Sequence, residues 1–195
     1  MYDEIETLGH PQPAIYPLNL QTATLHDYQT LAQQLEQEFS QLDGLLHNAA
    51  ILGVRTPLQL YDPEMWQQVM QVNSNAPFYI TRALLPLLNL STDASIIFTS
   101  SSVGRSGRAY WGAYSVSKFA VEGMMQIFAD ELENTSNIRV NSLNPGATRT
   151  NMRARAYPAE NPDNNPTAED IMPAYLYLMG KDSHDINGQA LNVHE

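Results

Sequence analysis

Residues 94–134 read ASIIFTSSSVGRSGRAYWGAYSVSKFAVEGMMQIFADELEN. The opening segment, 94–101, is β-branched and aromatic and runs into serine and glycine, which predicts a strand ending in a turn. From Gly112 the apolar residues recur at helical spacing, so GAYSVSKFAVEGMMQIFADELEN predicts an amphipathic helix. Strand, polar turn and long helix in that order make a βα unit.

The same alternation continues on both sides. Downstream, IRVNSLNPG predicts a strand running into a Pro-Gly turn, Ala168 to Met179 a helix, and GQALNV a last strand. Residues 151–168, rich in Asn, Pro, Arg and Ala, predict a surface loop. Upstream, Asp62-Pro63 supplies an N-cap and an N1 proline for a long helix through Trp66, Val69, Met70 and Phe78. Pro77 is expected to break or kink that helix near Asn73 to Ala76. LDGLLHNAA, residues 42–50, predicts a strand ending in small and polar residues. Thr24, with Asp27 at the capping-box position, opens a helix whose buried face is Leu25, Tyr28, Leu31, Leu35, Phe39 and Leu42. The run from Ala14 to Leu20, interrupted by Pro17, is expected to be an edge strand or strand end. The whole pattern predicts an α/β fold with a mainly parallel sheet in a single domain, residues 1–195.

Composition narrows the function classes. The chain has 195 residues, 43% of them hydrophobic, and a net charge of −11 with only 10 Lys and Arg. Nucleic acid and anionic membranes require clustered cations, so neither is expected as a partner. There is no cysteine, which excludes disulfides, thiolate nucleophiles and cysteine metal sites. The five histidines show no ligand spacing, so no metal site is expected. The start, MYDEIETLGH, lacks the basic flank and apolar stretch of a signal peptide, and no apolar run approaches a membrane span. A cytoplasmic protein is the expectation.

Tyr114 and Lys118 stand one helical turn apart, on one face of the expected helix. A phenol with an ordinary pKa of ~10 is a poor base near neutrality. A neighbouring ammonium favours the phenolate, so Tyr114 is expected to have a lowered pKa and to transfer a proton. Ser101 ends the central strand, Gly104 completes an S-x-x-G turn, and binding crevices of parallel sheets open at that end. A Ser-His-Asp hydrolase is the rival mechanism, but no G-x-S-x-G elbow is present.

HNAA, MQVNSNAPF, SSSVG, YSVSK and NPGATRT, in this order and spacing, resemble the short-chain dehydrogenase/reductase family, from about residue 14 to QALNV. TRTNMRARAYPAENP and DIMPAYLYLMG are similar to one bacterial branch of it, the YciK type. The resemblance implies a Rossmann-like doubly wound parallel sheet, NAD or NADP as cofactor, and a small alcohol or carbonyl substrate. It implies Tyr114 as general acid/base, Lys118 bonded to the nicotinamide ribose, Ser101 polarising the carbonyl, and Asn73 holding a water of a proton relay. Cofactor contacts would come from Asn48, Ala49 and Ala50 beside the adenine ribose, with His47 in place of the usual Asn and Ala50 in place of a Gly. Asn19 and Leu20 would face the adenine amine. Pro145 and Gly146 would lie under the nicotinamide, and Thr150 would reach its carboxamide or the pyrophosphate. Pairing into a homodimer or homotetramer is also implied. The TGxxxGIG-type fingerprint of the family's first β-α-β unit does not occur in these residues. The implied sheet therefore lacks that unit, leaving the HNAA strand at an apolar edge, and a non-catalytic remnant or protein-interaction subunit is the alternative reading.

Overall fold

The computed structural model describes residues 2–194. Among these, the elements in chain order are α1 (Tyr2–Thr7), α2 (Leu25–Glu38), β1 (Gly44–His47), α3 (Pro63–Met70), a π-helical turn at Gln71–Asn75, and α4 (Ala76–Leu88). Then follow β2 (Ala94–Thr99), a 3-10 turn at Ser102–Gly104, α5 (Gly112–Leu132), β3 (Ile138–Asn144), α6 (Asn151–Ala156), α7 (Ala168–Met179) and β4 (Ala190–Asn192). The four strands form one parallel sheet in the order β1-β2-β3-β4. The expected α/β fold is the one observed.

Side-chain alternation along the strands builds three layers. Ala94, Ile96 and Phe98 of β2, with Val140 of β3, face Leu84 and Leu88 of α4 and Val121, Met125 and Phe128 of α5. Ile97 and Leu143, one residue out of phase, face Ile171, Tyr175 and Leu178 of α7 on the other side. This period of two is the reason a strand covered on both faces reads as an unbroken apolar run. Arg139 of β3, only 6% exposed, fastens the far end of α7. It donates to Asp93 Oδ1, to the Leu178, Gly180 and Ser183 carbonyls and to Ser183 Oγ, so its buried charge is fully engaged.

Helix starts follow the sequence signals. Asp62 Oδ2 accepts from Met65 N at 2.9 Å, with Pro63 in the first turn of α3. Thr24 with Asp27, and Thr167 with Asp170, form capping boxes for α2 and α7.

Three expectations require correction. The run 14–20 carries no strand. Pro11, Pro13 and Pro17 each remove a backbone donor, and the segment has no ladder partner among the described residues. Pro77 does not end the helix, although the α ladder is interrupted just before it as expected: the chain stays helical from Pro63 to Leu88 through a widened turn at Gln71–Asn75, which places Pro77 at the start of α4, where its missing donor costs little. Residues 151–168 are not simply loop. Thr150 accepts from Arg153 N at 3.1 Å and starts α6, and Asn161 caps a further 3-10 turn at Pro162–Asn164.

β1 lies at the edge of the sheet and ends in His47, whose ring stacks on Phe98 with centroids 4.8 Å apart and whose Nε2 lies 2.7 Å from Thr81 Oγ1. Burial drives this imidazole from an ordinary 6.5 down to about 3, and the nearby Lys118 ammonium pushes the same way. In the window between those values the unfolded chain binds a proton that the native state refuses, so native stability falls as pH drops through it. Urea denaturation at pH 7 and pH 4.5 should show a smaller acid loss for His47→Gln than for the parent; equal losses would remove His47 as a cause. At the centre of the core, Met125→Ala should cost about 2–5 kcal/mol, whereas Leu90→Ala on the surface should stay within about 0.5 kcal/mol.

Candidate active site

The carboxyl ends of β1, β2 and β3 open into one cavity of about 510 Å³. That is where a parallel sheet exposes loop residues and backbone groups to a ligand. Its floor comes from Thr99, Ser100 and Ser101 at the end of β2, Tyr114 and Lys118 on α5, and Asn144, Pro145 and Gly146 after β3. Asn48, Ala49 and Ala50 line it after β1, and Thr150, Met152, Arg153, Ala156 and Tyr157 cover it from the α6 side.

The way the chain reaches these positions follows from local packing. Ser101 is the extended residue that precedes the 3-10 turn Ser102–Gly104. Gly104 lies so close to α5 that an added Cβ would meet Lys118 Cβ at 2.7 Å and the Lys118 backbone carbon at 2.9 Å. Only glycine permits this approach, and it sets the serine turn directly on the helix that carries Tyr114 and Lys118. Helix α5 is launched through Tyr110 (φ 72°) and Gly112 (φ 40°), two left-handed residues around the buried Trp111. Ser115 Oγ donates to Val103 O, pinning the turn to the helix a second time.

Tyr114 and Lys118 share a helix face, as the spacing implies, but their electrostatics differ from the expectation. Burial pushes the Tyr114 phenol up to about 12, against a lowering hydrogen bond from Ser101 and a smaller upward push from Tyr175. The ammonium does not bring it down, because Lys118 Nζ donates to the Thr99 carbonyl at 2.6 Å and sits 5.7 Å from the Tyr114 ring centroid. Burial also drives Lys118 down to about 8, with Glu122 partly restoring it.

Asn73 does not line the cavity. It is buried behind the floor, its Oδ1 accepting from Ile51 N at 2.8 Å and its Nδ2 donating to Ile51 O at 2.9 Å and Ser117 Oγ at 3.0 Å. It thereby ties the segment after β1 to α5. Asn19 and Leu20 are not brought to the cavity either. Asn19 Oδ1 accepts from Gln21 N, and Leu20 O accepts from Gln71 Nε2 at 3.4 Å. Thr150 lines the cavity while capping α6.

Several residues escaped the sequence reading. Glu122 is buried one turn beyond Lys118 and accepts from Ser100 Oγ at 2.5 Å, Arg105 Nε at 2.8 Å and Ser142 Oγ at 2.6 Å. Arg105 continues to Asn192 Oδ1 and Leu191 O on β4. The Tyr114-Lys118-Glu122 spacing was a visible signal for it. Trp111 and Tyr175 also line the cavity; they lie in or beside stretches that carry the family resemblance, which assigns neither of them a role. Among the described residues there is no cluster of three metal-ligand side chains, and no helix is long and apolar enough to cross a membrane.

Comparison with known proteins places this architecture. The short chain dehydrogenase family profile matches residues 1–161. The oxidoreductase YciK of Escherichia coli K12 is 53% identical over 182 residues, which covers 93% of this chain and 71% of that protein. A short chain dehydrogenase structure from Pseudomonas syringae superposes with a TM-score of 0.97 at 65% identity, over 99% of this chain and 78% of that one. A short chain dehydrogenase from Escherichia coli CFT073, solved in complex with NADPH, gives a TM-score of 0.96 at 51% identity, over 100% of this chain and 80% of that one. With its parallel sheet, its serine turn seated on α5 and these relatives, the chain belongs to the short-chain dehydrogenase/reductase family of oxidoreductases.

Proposed function

We propose that the cavity binds NADP(H) beside an alcohol or carbonyl substrate and that Tyr114 moves the proton on the substrate oxygen. The observation that carries this reading is the meeting of two hydroxyls, those of Ser101 and Tyr114, on the floor of one cavity, with Lys118 buried one helical turn beyond Tyr114. Relatives solved with NADPH and NADP support the choice of cofactor.

The residues present fit the nicotinamide-ribose part of such a group. Lys118 is 4% exposed and gives one N–H to Thr99, while an ammonium has three donors. The remaining donors suit the hydroxyls of a ribose. Asn48, Pro145 and Gly146 offer an amide and a close backbone surface at the same cavity. When bound, the cofactor supplies or accepts the hydride.

The chain's own residues handle the proton. With its pKa pushed up to about 12, the Tyr114 phenol is protonated at neutral pH, so in the reducing direction it starts as the acid. Ser101 donates to the substrate oxygen and polarises the carbonyl. As the oxygen gains charge, Tyr114 transfers its proton to it. In oxidation the same atoms act in reverse. For Asn73 the relay role rests on the family resemblance; its own bonds, to Ile51 and Ser117, make it a positioning residue behind the floor that carries Lys118.

Association belongs to the same reading. Phe78 of α4 and Val116, Phe119 and Ile127 of α5 stay 40–59% exposed, an apolar surface suited to pairing of two copies through these helices.

NADPH oxidation in the presence of a panel of alicyclic and aromatic ketones should be detectable for the parent and fall by about 100-fold or more for Tyr114→Phe, with NADPH affinity by calorimetry nearly unchanged. Retained turnover in the variant would refute the role. Sedimentation should show a dimer or tetramer that Phe119→Asp shifts toward monomer; a monomeric parent would refute the pairing.

A further inference from the structure

We infer that the substrate side of this cavity takes an uncharged, apolar alcohol or ketone and disfavours molecules bearing a carboxylate or phosphate. This rests on the reading of Tyr114 given above and names the substrate class for it.

The wall next to the Tyr114 ring is an apolar cluster: Leu52, Trp111 and Ala156, with Met152 and Tyr157 packed against them. An anionic substrate would need a cation free to meet it there. Two arginines approach this wall, and both are committed elsewhere. The Arg55 guanidinium lies over the Trp111 ring at 4.8 Å and the Tyr157 ring at 5.0 Å, and it donates to the Ala156 carbonyl at the end of α6. Held between two aromatic faces, it props the cavity wall from behind.

Arg153 reaches the cavity itself, stacked on Tyr157 at 3.9 Å. Its Nε and one terminal nitrogen donate to the two oxygens of Glu160, both at 2.6 Å, a two-pronged ion pair. Asn165 Nδ2 donates to the same carboxylate at 2.9 Å and fixes it in place. The Arg153 bonds, then that of Asn165, hold the Glu160 carboxyl down at about 2, so it stays charged at neutral pH and keeps the guanidinium neutralised. A substrate anion at Arg153 would have to displace Glu160 or lie beside it against like charge. Lys118, on the floor one helical turn beyond Tyr114, is bonded to Thr99 and placed for the cofactor. The lining of the substrate side therefore offers apolar area and two hydroxyls, with the lining arginine, Arg153, already paired to Glu160.

The test compares 4-phenylcyclohexanone with its para-carboxylate, titrated against the full chain without nicotinamide and followed by ligand-observed NMR. The neutral ketone should bind at least about tenfold more tightly than the carboxylate. Glu160→Gln frees Arg153 and should tighten the carboxylate by about tenfold while leaving the neutral ketone within about twofold. The double variant Glu160→Gln/Arg153→Gln should return the carboxylate to its weak parental level, which separates charge from any change in loop structure. Carboxylate binding equal to or tighter than ketone binding by the parent, no saturable ketone binding, or no gain in Glu160→Gln would each overturn the inference. Because nothing is turned over in these titrations, inactivity of the parent with NADPH would count against the Tyr114 reading and leave the binding preference standing.

Discussion

Glu122 is a carboxylate in the interior, 6% exposed, and the geometry around Tyr114 depends on how its charge is satisfied. An unpaired charge at that depth would be prohibitive, whereas a fully bonded one fixes whatever bonds to it. Its partners come from four different elements: Ser100 at the end of β2, Arg105 after the serine turn, Ser142 on β3 and, through Arg105, Asn192 and Leu191 on β4. Helix α5 is thus keyed to the sheet by direction as well as by the non-directional packing of Met125 and Phe128. Sliding or rotating α5 would break several of these bonds at once. Ser101 follows Ser100 and Lys118 lies one turn before Glu122, so the spacing of the reactive hydroxyls and the ammonium is inherited from this buried charge.

The cavity shows how differently the two sides of such a site are made. Its floor is built from strand ends and one helix, all deep in the fold and bound by directional contacts. Its cover, α6 and the residues after it, is short and held by surface pairs such as Arg153–Glu160 and by the stacked rings around Arg55. A rigid floor with a separately fastened cover lets the pocket's shape vary with little consequence for the positions of Ser101, Tyr114 and Lys118.

What could be read from the residues followed physical scale. Strands covered on both faces, capped helix starts and the i,i+4 pair Tyr114–Lys118 are local features, and each appears as expected. The misreadings involve features decided by partners distant in sequence. Whether 14–20 forms a strand depends on a neighbour and on prolines that spoil a ladder edge. Whether Tyr114 is acidified depends on where an ammonium points, and here it points at the Thr99 carbonyl. The Thr150 cap was legible as a residue type, but residues 151–168 are so rich in asparagine and proline that composition hid the short helix. Glu122 reads as an ordinary polar position of an amphipathic helix until Ser100, Arg105 and Ser142 are seen to converge on it.

The π-helical turn at Gln71–Asn75 has a consequence for how this chain tolerates changes in length. A π turn holds one residue more than the α-helical turn around it, and one residue is about 100° of rotation on a helix. The widened turn takes up that residue itself, so the buried faces of Leu84, Leu87 and Leu88 keep their direction relative to α3. Removing one residue from 71–75 would restore an α-helical ladder there and leave the core face of α4 close to its present direction. A deletion within the regular turns of α4 would instead rotate everything beyond it by about 100°.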